Sequence, residues 1–301
     1  MARKENTGER KPMSAEARER IAEAVKQAAA RKRLEQGLSA VPGISEKFVN
    51  REIELVKMAD QEFPDHLFES METGKPIDLM FTSDGGVPKA CNYMMIGDPG
   101  VGKSTVSLDI LSDLCLEGYK VLFISAEMTR IDLRGYVKRF PKFGDVDTLF
   151  LSEYFDADPK QIIEKVLEPG YDVVLLDSFA EIQAHLKESL GITSNSAEKW
   201  ITNTMIQHNS AGNKSRTYTT FIAIQQVTKD GLQLGTNRLK HAMTGMIELR
   251  NDKENGGSYI EFTKNRRGSV NIRMYYTLSV TGDVRYDLER YAKETDFIGA
   301  Q

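Results

Sequence analysis

The chain has 301 residues, a formal net charge of −4, and a composition that is 40% hydrophobic and 28% charged, which suits a soluble globular protein with one large α/β domain and an extension. It contains neither a run of about 18 apolar residues nor a signal-peptide pattern, so the expectation is a cytoplasmic protein with no membrane partner. The acidic balance excludes coating of nucleic acid by bulk charge, and the only cysteines, Cys91 and Cys115, provide neither a metal cluster nor a disulfide framework.

Residues 1–40 read as a charged helical or disordered arm. Within them, 14–36 can be helical, but Ile21 and Val25 give it only a thin apolar stripe, as expected of a solvated tail, a basic arm for DNA or a helix docking on a neighbouring subunit. Residues 41–74 read as a helical linker, with an apolar face over 45–62 formed by Phe48, Ile53, Val56 and Met58. Residues 75–301 read as the main domain, an α/β unit with a mostly parallel twisted sheet, helices on both faces and a C-terminal antiparallel extension. Its predicted strands are 92–96, 121–125, 147–152, 172–177 and 220–225, and its predicted helices are 104–117, 132–140, 159–167 and 197–209. The Ser/Asn-rich segment 180–199 reads as a loop up to that last helix. Segments 245–250, 257–263 and 271–279 read as antiparallel strands, with turns at 254–257 and 267–268.

Residues Gly97, Asp98, Pro99, Gly100, Val101, Gly102, Lys103 and Ser104, followed by Thr105, match G-x-x-x-x-G-K-[ST] in full. Glycines let backbone N–H groups turn inward around a triphosphate, Lys103 supplies a cation for the β and γ phosphates, and Ser104 supplies a hydroxyl ligand for Mg²⁺. The predicted strand before the loop and helix after it complete the context, because the helix N-terminus presents its positive dipole end to the phosphates. These residues imply a nucleoside-triphosphate site.

Four further groups carry chemistry. Asp177 closes an apolar strand, where a carboxylate holds hydrated Mg²⁺; alone it would read as a turn residue. Glu127 follows the strand 121–125 directly and is placed to polarise an attacking water, or simply to start a helix. Gln225 and Gln226 end a strand where an amide can sense the γ-phosphate, unless they are plain polar strand ends. Beyond them, Lys229, Arg238, Lys240 and His241 lie with Gly231 and Gly235 in 227–241, which suits contact with single-stranded nucleic acid or a solvated loop. Lys264, Arg266 and Arg267 fall within five residues and repel one another unless an intersubunit phosphate or solvent offsets them.

Together these segments resemble the RecA-like ATPases, and within them the bacterial RadA/Sms family. The similarity lies in the G-D-P-G-x-G-K-S-T loop at 97–105, the V-T-K-D-G segment at 227–231, the stretch 234–249 and the K-N-R-R-G-S signature at 264–269. The S-A-E-M segment at 125–128 is also similar to the DnaB replicative helicases, and the likeness covers roughly 75–285. The resemblance implies ATP and Mg²⁺ as cofactors and a homo-oligomer, a hexameric ring or a filament, with ATP at its subunit interfaces. It implies that Lys264 and Arg266 reach the neighbour's γ-phosphate and that 229–241, with 180–199, lines a single-stranded DNA path. The activity implied is a DNA-dependent ATP hydrolase of the helicase or translocase type, acting in recombination, repair or replication. A strand-exchange recombinase and a KaiC-like regulatory ATPase that binds protein partners are the alternatives. The sequence departs from the family at Arg267, where the signature has Phe, and at Gln226, where RadA usually has His. Two cysteines cannot build that family's four-cysteine zinc module, and its Lon-like domain does not follow within 301 residues.

Overall fold

Strands buried on both faces dictate the architecture. In β1 (Asn92–Gly97), β2 (Val121–Ser125), β4 (Val173–Asp177) and β5 (Thr220–Ile224) every residue is buried, so the apolar runs show no polar alternation, as parallel strands covered by helices on both faces require. With β3 (Asp147–Phe150), β6 (Gly245–Asn251), β7 (Ser258–Asn265), β8 (Arg273–Leu278) and β9 (Val284–Tyr286), the described residues form one nine-stranded sheet in the order β3-β2-β4-β5-β1-β6-β7-β8-β9. Pairing is parallel from β3 through to β6 and antiparallel from β7 to β9. The structure is a computed structural model that describes residues 55, 57–60, 62–154, 156–210, 218–225, 237–280 and 283–299.

The chain separates into two units, Met1–Glu62 and Phe63–Gln301. In the first, the described residues include one 3₁₀ turn, Met58–Asp60. The helix expected over 14–36 and most of the one over 45–62 lie outside the described residues. The second unit holds the sheet and the helices α1 (Asp78–Phe81), α2 (Lys103–Leu116), α3 (Arg130–Arg139), α4 (Pro159–Leu167), α5 (Phe179–Leu190), α6 (Ser194–Asn209), α7 (Asn237–Ala242) and α8 (Leu288–Gly299). Alternate strand residues feed two cores. Tyr93, Met95, Phe123 and Leu175 pack with Val106, Ile110 and Leu114 of α2. Met94, Ile96, Ile124 and Leu176 pack with Ile163 of α4, Ile182 and Leu186 of α5 and Met205 of α6.

Several boundaries differ from the sequence expectation, each for a local reason. The segment 180–199, expected as a loop up to 197, is helical in α5 and α6. Caps bound the two helices: Ser178 accepts from the Glu181 N–H, Gly191 closes α5 in the left-handed region at φ 63°, and Thr193 accepts from the Ser196 N–H. Helix α3 begins at Arg130 rather than 132, because Thr129 and Asp132 form a reciprocal capping box. Strand β3 stops at Phe150 and gives way to a 3₁₀ turn, Leu151–Tyr154. Strand β6 is antiparallel to β7 as expected, yet it also pairs parallel with β1, so the antiparallel extension starts one strand later. Strand β7 runs on through Lys264 and Asn265, two residues past the expected end at 263.

A buried ionic cluster ties the C-terminal strands to α2. Asp109, fully buried, receives Lys75 Nζ at 2.9 and 3.0 Å and Lys142 Nζ at 2.7 Å, while the Val284 N–H points at it from 3.5 Å. Asp283, beside β9, joins Lys142 at 3.2 Å. Removing one buried partner strands the opposite charges, at a cost of about 3 kcal/mol or more. Asp109→Ala is therefore expected to lower the unfolding free energy by that amount, read as an earlier urea midpoint at an unchanged slope; an unchanged midpoint would show that Asp283 and Asp113, which also contacts both lysines, hold them alone.

Candidate active site

Because β1, β2, β4, β5 and β6 are parallel, their C-terminal ends share one edge of the sheet, and the chemistry-bearing residues collect there. Strand β1 delivers the loop 97–102 at that edge. Gly97 is opposite Leu249, and a Cβ on it would lie 2.3 Å from the Leu249 carbonyl oxygen, so the close β1–β6 pairing admits only glycine. Gly102 caps α2 in the left-handed region at φ 93°, which turns the first N–H groups of the helix, absent from its own ladder, toward the loop. Lys103 curls back so that Nζ donates to the Gly97 carbonyl at 2.8 Å and the Asp98 carbonyl at 3.0 Å. Burial lowers its pKa, against the opposing pull of Asp177, Glu127 and Asp98.

The next helical residue makes the defining contact. Ser104 Oγ donates to Asp177 Oδ2 at 2.7 Å, which joins the start of α2 to the end of β4. Asp177 is 2% exposed, and this burial pushes its carboxyl up to about 6; Glu127 adds to the rise, whereas the Ser104 hydrogen bond and Lys103 oppose it. Glu127 stands exposed in the turn between β2 and α3. Two contacts shape that turn: the Ala126 and Glu127 N–H groups donate to the Asp177 carbonyl at 2.8 and 3.3 Å, and the Ser125 hydroxyl bonds the Met128 carbonyl at 2.8 Å. Ser104 and Asp177 together offer the hard oxygen donors that suit Mg²⁺. Among the described residues no three His, Cys, Asp or Glu side chains converge on a metal position, so a cation here would draw its remaining ligands from phosphate and water.

A cleft of about 390 Å³ opens over this group. Pro99, Gly100, Gly102, Lys103, Ser104, Thr105, Glu127 and Asp177 line it, and so do four residues that the sequence did not single out: Tyr136 and Arg139 of α3, Ile224 of β5 and Leu278 of β8. Tyr136 and Arg139 lie one helical turn apart on the helix that follows Glu127, a spacing visible in the sequence. Leu278 is brought in by the antiparallel return of β8, for which no local signal exists.

The other expected site residues lie elsewhere. Lys264 and Arg266 sit at the opposite edge, since Asn265 pairs with Gly245 and Gly245 with Tyr93, four residues before Gly97 and so roughly 13 Å along the strand. There Lys264 Nζ donates to the carbonyls of Lys240 at 2.7 Å and Met243 at 2.6 Å, and Arg266 Nη2 donates to that of His241 at 3.0 Å. Both cations thus hold the C-terminal carbonyls of α7, where positive charge is favoured. Burial lowers the pKa of Lys264, and Arg266 adds to the effect. Lys240 is exposed on α7. Gln226 and Lys229 lie outside the described residues, as does the side chain of Arg238.

Comparison with known proteins accords with this geometry. A family model described as "ATPase: KaiC" matches residues 71–281. The DNA repair protein RadA of Campylobacter jejuni is 27% identical over 229 residues, which make up 76% of this chain and 48% of that protein. The protein of the same name from Chlamydia pneumoniae is 30% identical over 201 residues, 66% of this chain and 42% of the other. The chain thus spans about half the length, or less, of these relatives. Among solved structures, a KaiC-like protein from Pyrococcus horikoshii superposes with a TM-score of 0.55 at 15% identity, covering 73% of this chain and 99% of its own. The flagellar accessory protein FlaH of Methanocaldococcus jannaschii gives 0.50 at 13% identity, covering 67% and 92%. At such identities the likeness concerns the fold.

The raised Asp177 carboxyl fixes the sign of a pH effect. The folded chain keeps this proton up to about pH 6, whereas an ordinary aspartate loses it near 3.8, so the group favours folding below pH 4 and that contribution is lost as pH rises through 6. In the nucleotide-free protein, the stability advantage of wild type over Asp177→Asn should fall by on the order of 3 kcal/mol between pH 4 and pH 7. Urea unfolding across that range checks it, and parallel curves for the two proteins would refute the burial cost.

Proposed function

Because the chain belongs to the KaiC-type ATPase family, as a RecA-like P-loop ATPase close to RadA, we propose that it is a DNA-dependent motor of the RadA/DnaB type, hydrolysing ATP at subunit interfaces to move on single-stranded DNA. The observation that carries this reading is the single cleft in which the phosphate loop, the Ser104–Asp177 pair at 2.7 Å and Glu127 meet. The loop amides and Lys103 bind the β and γ phosphates. Ser104, with Asp177 acting through water, would hold Mg²⁺, which supplies charge neutralisation at the phosphate oxygens. Glu127, exposed and facing the same cleft, orients and polarises the attacking water. Lys264 and Arg266 are roughly 13 Å along the strands from their own phosphate loop, so their contribution to catalysis falls in a neighbour's cleft, with the chain assembled as a ring or filament.

Nucleic acid is assigned to the opposite edge. Lys240 is exposed there, close in the chain to 226–236 with its Lys229, and local cations on an otherwise acidic chain suit phosphate contacts. Relatives named for DNA repair support recombination or repair as the setting. One finding favours a second reading, a regulatory ATPase whose ring binds protein partners: the matching family model is the KaiC one.

ATP turnover with and without single-stranded DNA, at low and moderate salt, separates the two. A motor is stimulated strongly and loses the stimulation as salt rises; turnover indifferent to DNA would favour the protein-binding switch. Combined replacement of Lys229, Arg238 and Lys240 by Ala is expected to abolish stimulation and leave basal turnover intact. Glu127→Gln should bind ATP like wild type yet hydrolyse it about 10²–10⁴-fold more slowly; a variant with near-normal turnover would remove Glu127 from the role.

A further inference from the structure

The phosphate loop is held from outside by a strand that none of the nucleotide motifs includes. Strand β8 returns to the loop's edge of the sheet, and there Tyr276, 2% exposed, donates its hydroxyl to the Val101 carbonyl at 2.6 Å across 175 residues of chain. Two residues on, Leu278 lies against Gly102 so closely that a Cβ on that glycine would come within 2.4 Å of Leu278 Cδ1. Val101 is itself buried, at 3% exposure, so its carbonyl has little access to water as a substitute donor.

We infer that Tyr276 is a positioning residue for phosphate binding, acting through the peptide between Val101 and Gly102. In a trans peptide the carbonyl and the following N–H point in opposite directions. Anchoring the Val101 carbonyl outward on Tyr276 therefore turns the Gly102 N–H toward the inside of the loop, where phosphate oxygens are gripped. The loop needs such an anchor. Gly100 and Gly102 sit at φ 81° and 93°, a conformation that glycine adopts readily but also leaves readily, so the glycines that permit the cradle do not fix it. A hydroxyl on a rigid, fully packed ring supplies the missing constraint at one defined peptide, and Leu278 packs against the next residue. Tyr276 does not line the cleft that Lys103, Ser104, Glu127 and Asp177 share, so its influence falls on nucleotide affinity rather than on the chemical step.

The inference rests on the nucleotide-site reading above, and one titration distinguishes the failure of each. MgATP and MgADP are titrated into full-length wild type and Tyr276→Phe, with kcat and KM measured on both and amide hydrogen exchange followed in the free proteins. The expected result is a Kd about ten-fold higher for both nucleotides, a matching rise in KM, and kcat within two-fold of wild type. Exchange should quicken at 100–103 and stay unchanged in β1 and in the body of α2. Wild type that binds neither nucleotide would overturn the nucleotide-site reading itself. Wild type that binds, beside a variant with the same Kd and the same loop exchange, would overturn only the role of Tyr276. A variant whose exchange rises throughout the sheet would also overturn it, since the hydroxyl would then be supporting the fold at large.

Discussion

The parallel pairing of β1 with both β5 and β6 is the constraint on which the rest depends. A parallel strand inside the sheet is covered on both faces, which keeps β1 apolar beyond the hydrogen-bonded Asn92 and leaves its C-terminal end as the place where polar chemistry can emerge. The close approach of Gly97 to the Leu249 carbonyl fixes where β1 ends. From that point the loop can turn only outward, into the start of α2, and the helix then brings Ser104 within 2.7 Å of the residue that ends β4. A one-residue slip of β1 would move the hydroxyl away from Asp177 and exchange the two faces of the core together, so register, packing and site geometry are a single requirement.

The same sheet gives the molecule two functional edges. The phosphate loop, Asp177 and Glu127 lie at one, while Lys264, Arg266 and the C-terminus of α7 lie at the other. Strand β8 spans them, beginning after the turn that carries Arg266 and ending with Tyr276 and Leu278 on the phosphate loop. Three attachments secure this strand and its neighbour β9 to the loop and to α2: the Tyr276 hydroxyl, the Val284 amide directed at Asp109, and Asp283 in the Lys75–Lys142 cluster. The cationic edge is therefore joined to the phosphate cradle of the same chain through β8 and its Tyr276 hydrogen bond.

Most of the site was legible in the residues because its constraints are local. The glycines, lysine and serine of 97–104 carry their chemistry in their spacing, and Asp177 and Glu127 are found by reading which residue follows each apolar strand. What the sequence hid depends on distant chain segments. Leu278 and Tyr276 look like ordinary strand residues, and only the antiparallel return of β8 puts them on the loop. The segment 180–199 was misread because serine, threonine and asparagine mark loops and helix caps alike; the buried positions Phe179, Ile182 and Leu186 carried the helical signal in counterpoint. Strand β6 belongs to both pairing regimes, and local alternation cannot tell which neighbour a strand will face on its second side.

Charge in the cleft is unbalanced before any ligand enters. Lys103 is its deepest cation, and Asp177, Glu127 and Asp98 all act on it, so the site is already rich in negative charge before a triphosphate enters. Arg139 lies at the cleft's margin, with its guanidinium over Phe140 at 5.3 Å. The raised Asp177 carboxyl records the same imbalance, since burial beside Glu127 makes its charge costly. Under the proposed function a metal ion would offset part of that excess, and Lys264 and Arg266, which lie at the far edge, would add to the rest only in a neighbour's cleft. On the proposed reading, turnover would be coupled to assembly by electrostatics, because the charge completing the site would come from the far edge of a second copy.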